Sequence, residues 1–298
     1  MASRKDIAIA IIIIFSFLVT ILFFAMMFMG TFSDDGETAF GGIGPKVAVI
    51  ELNGAIESSE NIVKQLKKWG KSGGVKAIIL HIDSPGGAVA PTQEIHDEIL
   101  RVRDQDGKKV IASLSSVAAS GGYYVACAAD KIMANPGTLV GSIGVIVQFY
   151  TAGKLMEKIG IEIEKIKSGE LKDIGSFDRK MTEKERQMLT AAVMDTYEQF
   201  VEAVSDGRAR DKSSVDAVAD GSIFSGRQAL QLGLVDTLGG FEDAVRYAVD
   251  QAGLSGEPRI VKDIKPKQGW LDLIGSTLGN IKEMTEFNAD GPKILYFY

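Results

Sequence analysis

The 298-residue chain holds one cysteine, two histidines and seven prolines. A lone Cys127 cannot close an internal disulfide, and His81 and His96 stand far from any cysteine cluster, so neither a disulfide framework nor a structural zinc site is expected. Positive charge is not in excess: 33 Lys and Arg against 39 Asp and Glu leave −6, with no basic run. Nucleic-acid binding therefore lacks electrostatic support. What is present is apolar: 46% hydrophobic and 24% charged residues exclude a disordered chain. At about 150 residues per domain, the length allows one large domain or two small ones.

The mean hydropathy of +0.10 is high for a wholly soluble protein. The excess sits in Ile7 to Met29, an uncharged run interrupted only by Ser16 and Thr20. Without it the chain is about 42% hydrophobic, ordinary for a globular domain. As a helix the run would extend roughly 34 Å, against about 30 Å for the hydrocarbon core of a bilayer. A cleaved signal peptide would have a shorter apolar region and a small-residue cleavage site, and this run ends in Phe24-Ala-Met-Met-Phe-Met29. The expectation is an uncleaved single-pass anchor. Arg4 and Lys5 precede it and Asp34, Asp35 and Glu37 follow, which predicts a cytoplasmic N-terminus and a main domain outside the cytoplasm. The chain divides into a cytoplasmic end (1–6), a transmembrane helix (7–29), a flexible glycine-containing tether (30–45), the main domain (46–255) and an extension (256–298) whose apolar end is Ile294-Leu-Tyr-Phe-Tyr298.

From Lys46 onward, short β-rich runs alternate with helical ones. Val47–Leu52, Ala77–Ile82 and Lys109–Leu114 read as strands, each followed by a helical stretch, the signature of an α/β domain with a largely parallel sheet covered on both faces. A long packing helix is predicted from Glu183 to about Asp206, opened by a Thr182/Glu185 capping box and striped by Leu189, Val193, Phe200 and Val204.

Two glycine pairs follow predicted strands: Asp83-Ser84-Pro85-Gly86-Gly87, and Ser120-Gly121-Gly122 at the start of a helical stretch. Loops at the carboxyl ends of parallel strands are where α/β proteins put their sites. Ser120 beside Gly121, with Gly87 nearby, has the parts of a nucleophile and an oxyanion hole. Taken locally, a turn or an N-cap explains each of them as well. There is no phosphate-binding lysine motif, no dinucleotide glycine pattern and no G-x-S-x-G elbow. His81 in an apolar strand and His96 one turn before Leu100 read as structural, and lysine is the other candidate base. Lys165, Lys167 and Lys172 share one glycine-containing stretch, and local sequence does not choose among them.

Five motifs in order, Asp83-Ser-Pro-Gly-Gly87, Ala119-Ser-Gly-Gly-Tyr-Tyr124, Gly141-Ser-Ile-Gly-Val145, Lys167-Ser-Gly-Glu-Leu-Lys-Asp-Ile-Gly175 and Phe224-Ser-Gly-Arg-Gln-Ala229 with Gly233-Leu-Val-Asp236, make residues 46–255 resemble the signal peptide peptidase A (protease IV) family of membrane-bound serine peptidases. The resemblance implies a crotonase-like, Clp-protease-like ββα spiral domain. It further implies Ser120 as nucleophile, Lys172 as general base, Gly87 and Gly121 as oxyanion donors, and Ser142 as the serine that orients the lysine. Asp83 and Asp173 are expected to fix loops. Also implied are no metal or organic cofactor, spent signal peptides as substrates, a cell (inner) membrane location, and a homo-oligomer in which one protomer's lysine serves its neighbour's serine. Competing readings are a membrane protease acting on a scaffold protein, a crotonase-like acyl-CoA enzyme, and a non-catalytic membrane scaffold.

Overall fold

The structure is a computed structural model that describes residues 16–21, 37–40, 46–254, 258–263 and 295–296. Of the apolar run, only residues 16–21 are described; they are helical (α1), and Thr20 Oγ1 donates to the Ser16 carbonyl. Among the described residues no helix is long and apolar enough to cross a membrane.

The three expected strands form, each longer than its apolar run: β2 (Lys46–Asn53), β3 (Val75–Ser84) and β5 (Lys109–Ala119) pair in parallel at the centre of a nine-stranded sheet. Alternating side chains go to opposite faces, and both faces are covered. Ala48, Ile50, Leu52, Ile78, Leu80 and Ile82 pack under α2 (Glu60–Lys71), α3 (Val89–Asp104) and α4 (Gly121–Cys127). Val47, Val49, Ala77 and Ile79 meet Ala244, Val245 and Ala248 of a last helix on the other face. In chain order the strands β4 (Gly87–Ala88), β6 (Lys131–Ala134), β7 (Leu139–Gly141), β8 (Ile223–Ser225) and β9 (Thr237–Leu238) are short. The remaining helices are α5 (Gly153–Lys158), α6 (Glu183–Gly207), α7 (Lys212–Asp216), α8 (Gly226–Gln231) and α9 (Phe241–Gln251). Helix α6 opens with the expected capping box: Thr182 Oγ1 accepts from the Glu185 amide and the Glu185 carboxylate accepts from the Thr182 amide.

Strand β5 serves two partners. Residues 111–114 pair with β6 and residues 117–119 with β7, the register against β3 shifting between. Asp83 holds this bend, its Oδ1 accepting from the Val117 amide at 3.1 Å. The bend carries the end of β5 toward β7 and sets where the next residue, Ser120, lies.

Both segments flanking the main domain contribute strands. Residues 37–40, within the stretch read as a flexible tether, form β1 (Glu37–Phe40), antiparallel to β10 (Arg259–Asp263), which is itself parallel to β2. Edge amides and carbonyls thereby find partners that no local pattern announces. Strand β11 (Leu295–Tyr296) pairs antiparallel with β4, Tyr296 opposite Gly87.

Candidate active site

Ser120 follows the last residue of β5 and precedes α4. Its backbone is at φ 52°, ψ −121°, where a residue with a Cβ is strained by about 1–3 kcal/mol. The turn is held on both sides: the Ser120 amide donates to the Gly141 carbonyl at 2.8 Å, and the Ser120 carbonyl accepts from the Tyr123 and Tyr124 amides. Tyr123 Oη donates to the Leu234 carbonyl at 2.7 Å and anchors α4 to the Gly233–Asp236 motif. Strain held in place this way marks functional residues. The Ser120 hydroxyl is buried with no hydrogen-bond partner among the described residues, a condition most buried polar groups avoid.

The two glycine pairs pack on each other. A Cβ on Gly121 would stand 3.2 Å from the Gly87 amide nitrogen and 2.9 Å from Thr92 Oγ1, and one on Gly122 would stand 2.6 Å from the Ser84 carbonyl oxygen. Gly87 has no room for a side chain because the Ile56 backbone lies against it. Ile56 donates to the Gly86 carbonyl and accepts from the Ala88 amide. Thr92 in turn donates to the Ala88 carbonyl at 2.8 Å. Only glycine lets these loops approach so closely.

Ser142 joins the group through strand register. Gly141 pairs with Ala119, so the residues that follow, Ser142 and Ser120, are neighbours beyond the strand ends. Ser142 is buried with φ 51° and its amide donates to the Ser222 carbonyl. Ser120, Gly121, Gly87 and Ser142 are therefore drawn together by β3, β5 and β7.

Lys172 is not linked to them within one chain. It lies exposed on a 3-10 turn, Glu170–Asp173, and its ammonium makes no ion pair among the described residues. The other two candidate lysines are engaged: Lys165 with Asp178 and Ser176, and Lys167 with Asp173 at 2.6 Å. Arg179 ties this turn to α6. It donates to Asp173 at 2.9 Å and to Glu185, whose carboxylate is buried at the helix start. The Arg179 guanidinium, then Lys167, holds the Asp173 carboxyl well below the usual range; Arg179 and the Thr182 amide hold Glu185 at about 2. Asp173 thus fixes its loop as expected. Arg179, Thr92 and Ile56 were not singled out in the sequence; of the clamp, only the Thr182/Glu185 capping box gave a signal.

Both histidines are structural. His81 hydrogen-bonds Ser113 and stacks edge-on to Phe241, while His96 lies edge-on to Tyr124 on α4. Burial pushes both below the ordinary imidazole value. Cys127 is fully buried and its thiol is pushed up to about 12 by that burial. A cleft of about 740 Å³ between β2, α2 and β10 is lined by Ile56 but by none of Ser120, Gly121, Gly87 and Ser142. No group of three His, Cys, Asp or Glu is placed to hold a metal among the described residues.

A strained buried serine beside interlocked glycine loops, at the carboxyl ends of a mostly parallel sheet, defines a serine peptidase on a Clp-protease-like α/β scaffold; residues 46–141 match the Clp protease family. Residues 102–255 match Peptidase family S49. The chain is 43% identical to a Synechocystis protein described as "Putative protease", over 74% of this chain and 80% of that one. It is 32% identical to "Putative signal peptide peptidase SppA" of Enterococcus faecium over 87% and 82%. It is 34% identical to Protease 4 of Salmonella typhi over 71% of this chain and 35% of that longer protein. The chain belongs to peptidase family S49, the family of signal peptide peptidase SppA. That membership sets aside the acyl-CoA and non-catalytic readings.

Proposed function

We propose that the protein is a membrane-anchored endopeptidase in which Ser120 attacks, Lys172 of a neighbouring protomer is the general base, and remnant signal peptides are the substrates. The observation that carries this reading is the complementarity of two groups: among the described residues, a buried Ser120 hydroxyl has no hydrogen-bond partner and an exposed Lys172 has no ion pair. A second copy supplies each with the other. Large apolar side chains on the segment that bears Lys172 support it: Tyr150, Leu155, Ile159, Ile166 and Phe177 are all exposed in the single chain.

In the proposed reaction, neutral Lys172 takes the Ser120 hydroxyl proton as Oγ attacks the peptide carbonyl carbon. Burial against a partner is the general device that strips a lysine of its proton. The Gly87 and Gly121 amides donate to the oxyanion, and Ser142 orients the lysine amine. Collapse breaks the C–N bond, the lysine ammonium protonates the departing amine, and water hydrolyses the acyl-enzyme. The pairing of β11 with β4 supports an extended peptide lying along the edge beside Gly87. The apolar run 7–29, with basic residues before and acidic residues after it, supports a single-pass anchor in the cell membrane and a catalytic domain outside the cytoplasm.

Two inactive variants test the shared site. Ser120→Ala and Lys172→Ala should each abolish peptide hydrolysis, and mixing them with subunit exchange should restore about a quarter of wild-type activity, since random neighbours pair a good serine with a good lysine one time in four. No recovery after demonstrated exchange would sink the shared dyad. Fluorophosphonate labelling at a residue other than Ser120 would sink the nucleophile.

A further inference from the structure

The peptide that joins Gly86 to Gly87 has a glycine on either side. Glycine imposes little preference on its own dihedrals, so a Gly-Gly peptide flips easily, exchanging the directions of its C=O and N–H. The N–H of this peptide is the proposed oxyanion donor, and its direction has to be fixed by a group outside the pair.

The Ile56 amide is that group: it donates to the Gly86 carbonyl at 2.8 Å. In a planar trans peptide the C=O and N–H point in opposite directions. With the Gly86 oxygen held toward Ile56, the Gly87 N–H faces away from it. The strand pairing agrees, since Ile56 bridges Gly87 on one edge of β4 and Tyr296 of β11 stands opposite Gly87 on the other. The Gly87 amide therefore looks onto the edge along which a peptide substrate is proposed to lie.

The pin is itself held. The Ile56 side chain is 2% exposed and packs in the main core, so burial fixes its main chain. The Ile56 carbonyl accepts from the Ala88 amide at 2.7 Å, and the Gly54 amide donates to the Asp83 carbonyl at 2.9 Å. On the other side of the loop, the Gly86 amide donates to Ser84 Oγ at 3.2 Å, and Gly86 takes the turn at φ 105°. The second proposed donor is aimed by the same device. The Ser120 carbonyl accepts from the Tyr123 and Tyr124 amides, both at 2.9 Å, which turns the Gly121 N–H outward from the start of α4.

We infer that Ile56 is a positioning residue whose main-chain N–H, by pinning the Gly86 carbonyl, aims the Gly87 amide at the oxyanion. This rests on the reading of Gly87 as an oxyanion donor. A flipped peptide would present the Gly86 carbonyl oxygen to the developing negative charge, so loss of the pin both removes a donor and sets a repulsive dipole in its place.

The test replaces single backbone amides of the full chain by esters, through nonsense suppression with α-hydroxy acids, which removes one N–H and keeps every side chain. An ester at position 56 should lower kcat for a peptide substrate by about ten-fold or more, with KM within about two-fold of wild type. It should also weaken the binding of a peptide aldehyde, whose hemiacetal oxygen occupies the oxyanion position, by the same factor. Loss of folded protein would lower kcat without changing the affinity of the aldehyde, so that result, like an unchanged kcat, overturns the positioning role. An ester at position 87 removes the proposed donor itself and separates the two levels. If it lowers kcat while the ester at 56 does not, the positioning role alone is overturned. If the ester at 87 leaves kcat unchanged, the oxyanion reading of Gly87 falls and the positioning role falls with it.

Discussion

At the scale of single residues, the site is defined by what glycine permits and what serine tolerates. Ser120 holds a positive φ that glycine adopts at little cost, so Ser120→Gly should remove hydrolysis while raising stability by about 1 kcal/mol, the relieved strain less glycine's added unfolded-state freedom. Urea unfolding of the pure variant checks it; a less stable Ser120→Gly protein would show that the turn stores no strain. Gly121→Ala adds a Cβ against Thr92 Oγ1 and the Gly87 amide. If Gly121 is the proposed oxyanion donor, the displacement should lower kcat by roughly 10²–10³, with steady-state kinetics as the measure and an unchanged kcat as the refutation. Much of this was legible in the sequence, because glycine pairs after apolar runs signal close backbone approach. Thr92 and Ile56 were not, since one acts through a hydroxyl bonded within its own helix and the other through its main chain.

At the scale of elements, the central strands and α6 announced themselves by apolar runs and a capping box. The pieces of two to four residues did not, because they are made by non-local pairing: β1 with β10 spans more than two hundred positions in sequence, and β7 is recruited by the bend of β5. The turn that bears Lys172 depends on the Arg179 clamp between Asp173 and Glu185. Arg179→Met should lower kcat/KM roughly ten-fold with little change in KM, as the turn loosens and a buried carboxylate loses its partner. The pH dependence has a definite sign. Glu185 is held near 2, below its ordinary value of 4.5. Its contribution is therefore present above about pH 4.5 and is lost as pH falls toward 2. Thermal unfolding across that window should fall less steeply in Arg179→Met than in the wild type; parallel curves would remove the clamp from the account.

At the scale of the whole molecule, the proposed shared dyad requires the exposed apolar segment around Lys172 to meet a second copy of the chain. Ile166 is fully exposed in the single chain. Ile166→Asp should leave protomer stability within about 0.5 kcal/mol yet dissociate the assembly and abolish activity, as read by sedimentation velocity beside a peptide assay. Unchanged sedimentation with full activity would remove this segment from the interface. The one thiol carries a different consequence. Cys127 ends the helix that begins beside Ser120, and α6 closes over it so tightly that a Cβ on Gly207 would stand 2.2 Å from the Cys127 carbonyl oxygen. A thiol buried this deeply and this reluctant to ionise is inert to oxidants and to alkylating reagents while the domain stays closed. Its rate of capture by a thiol reagent is therefore an internal clock for opening of the very core that supports the catalytic turn.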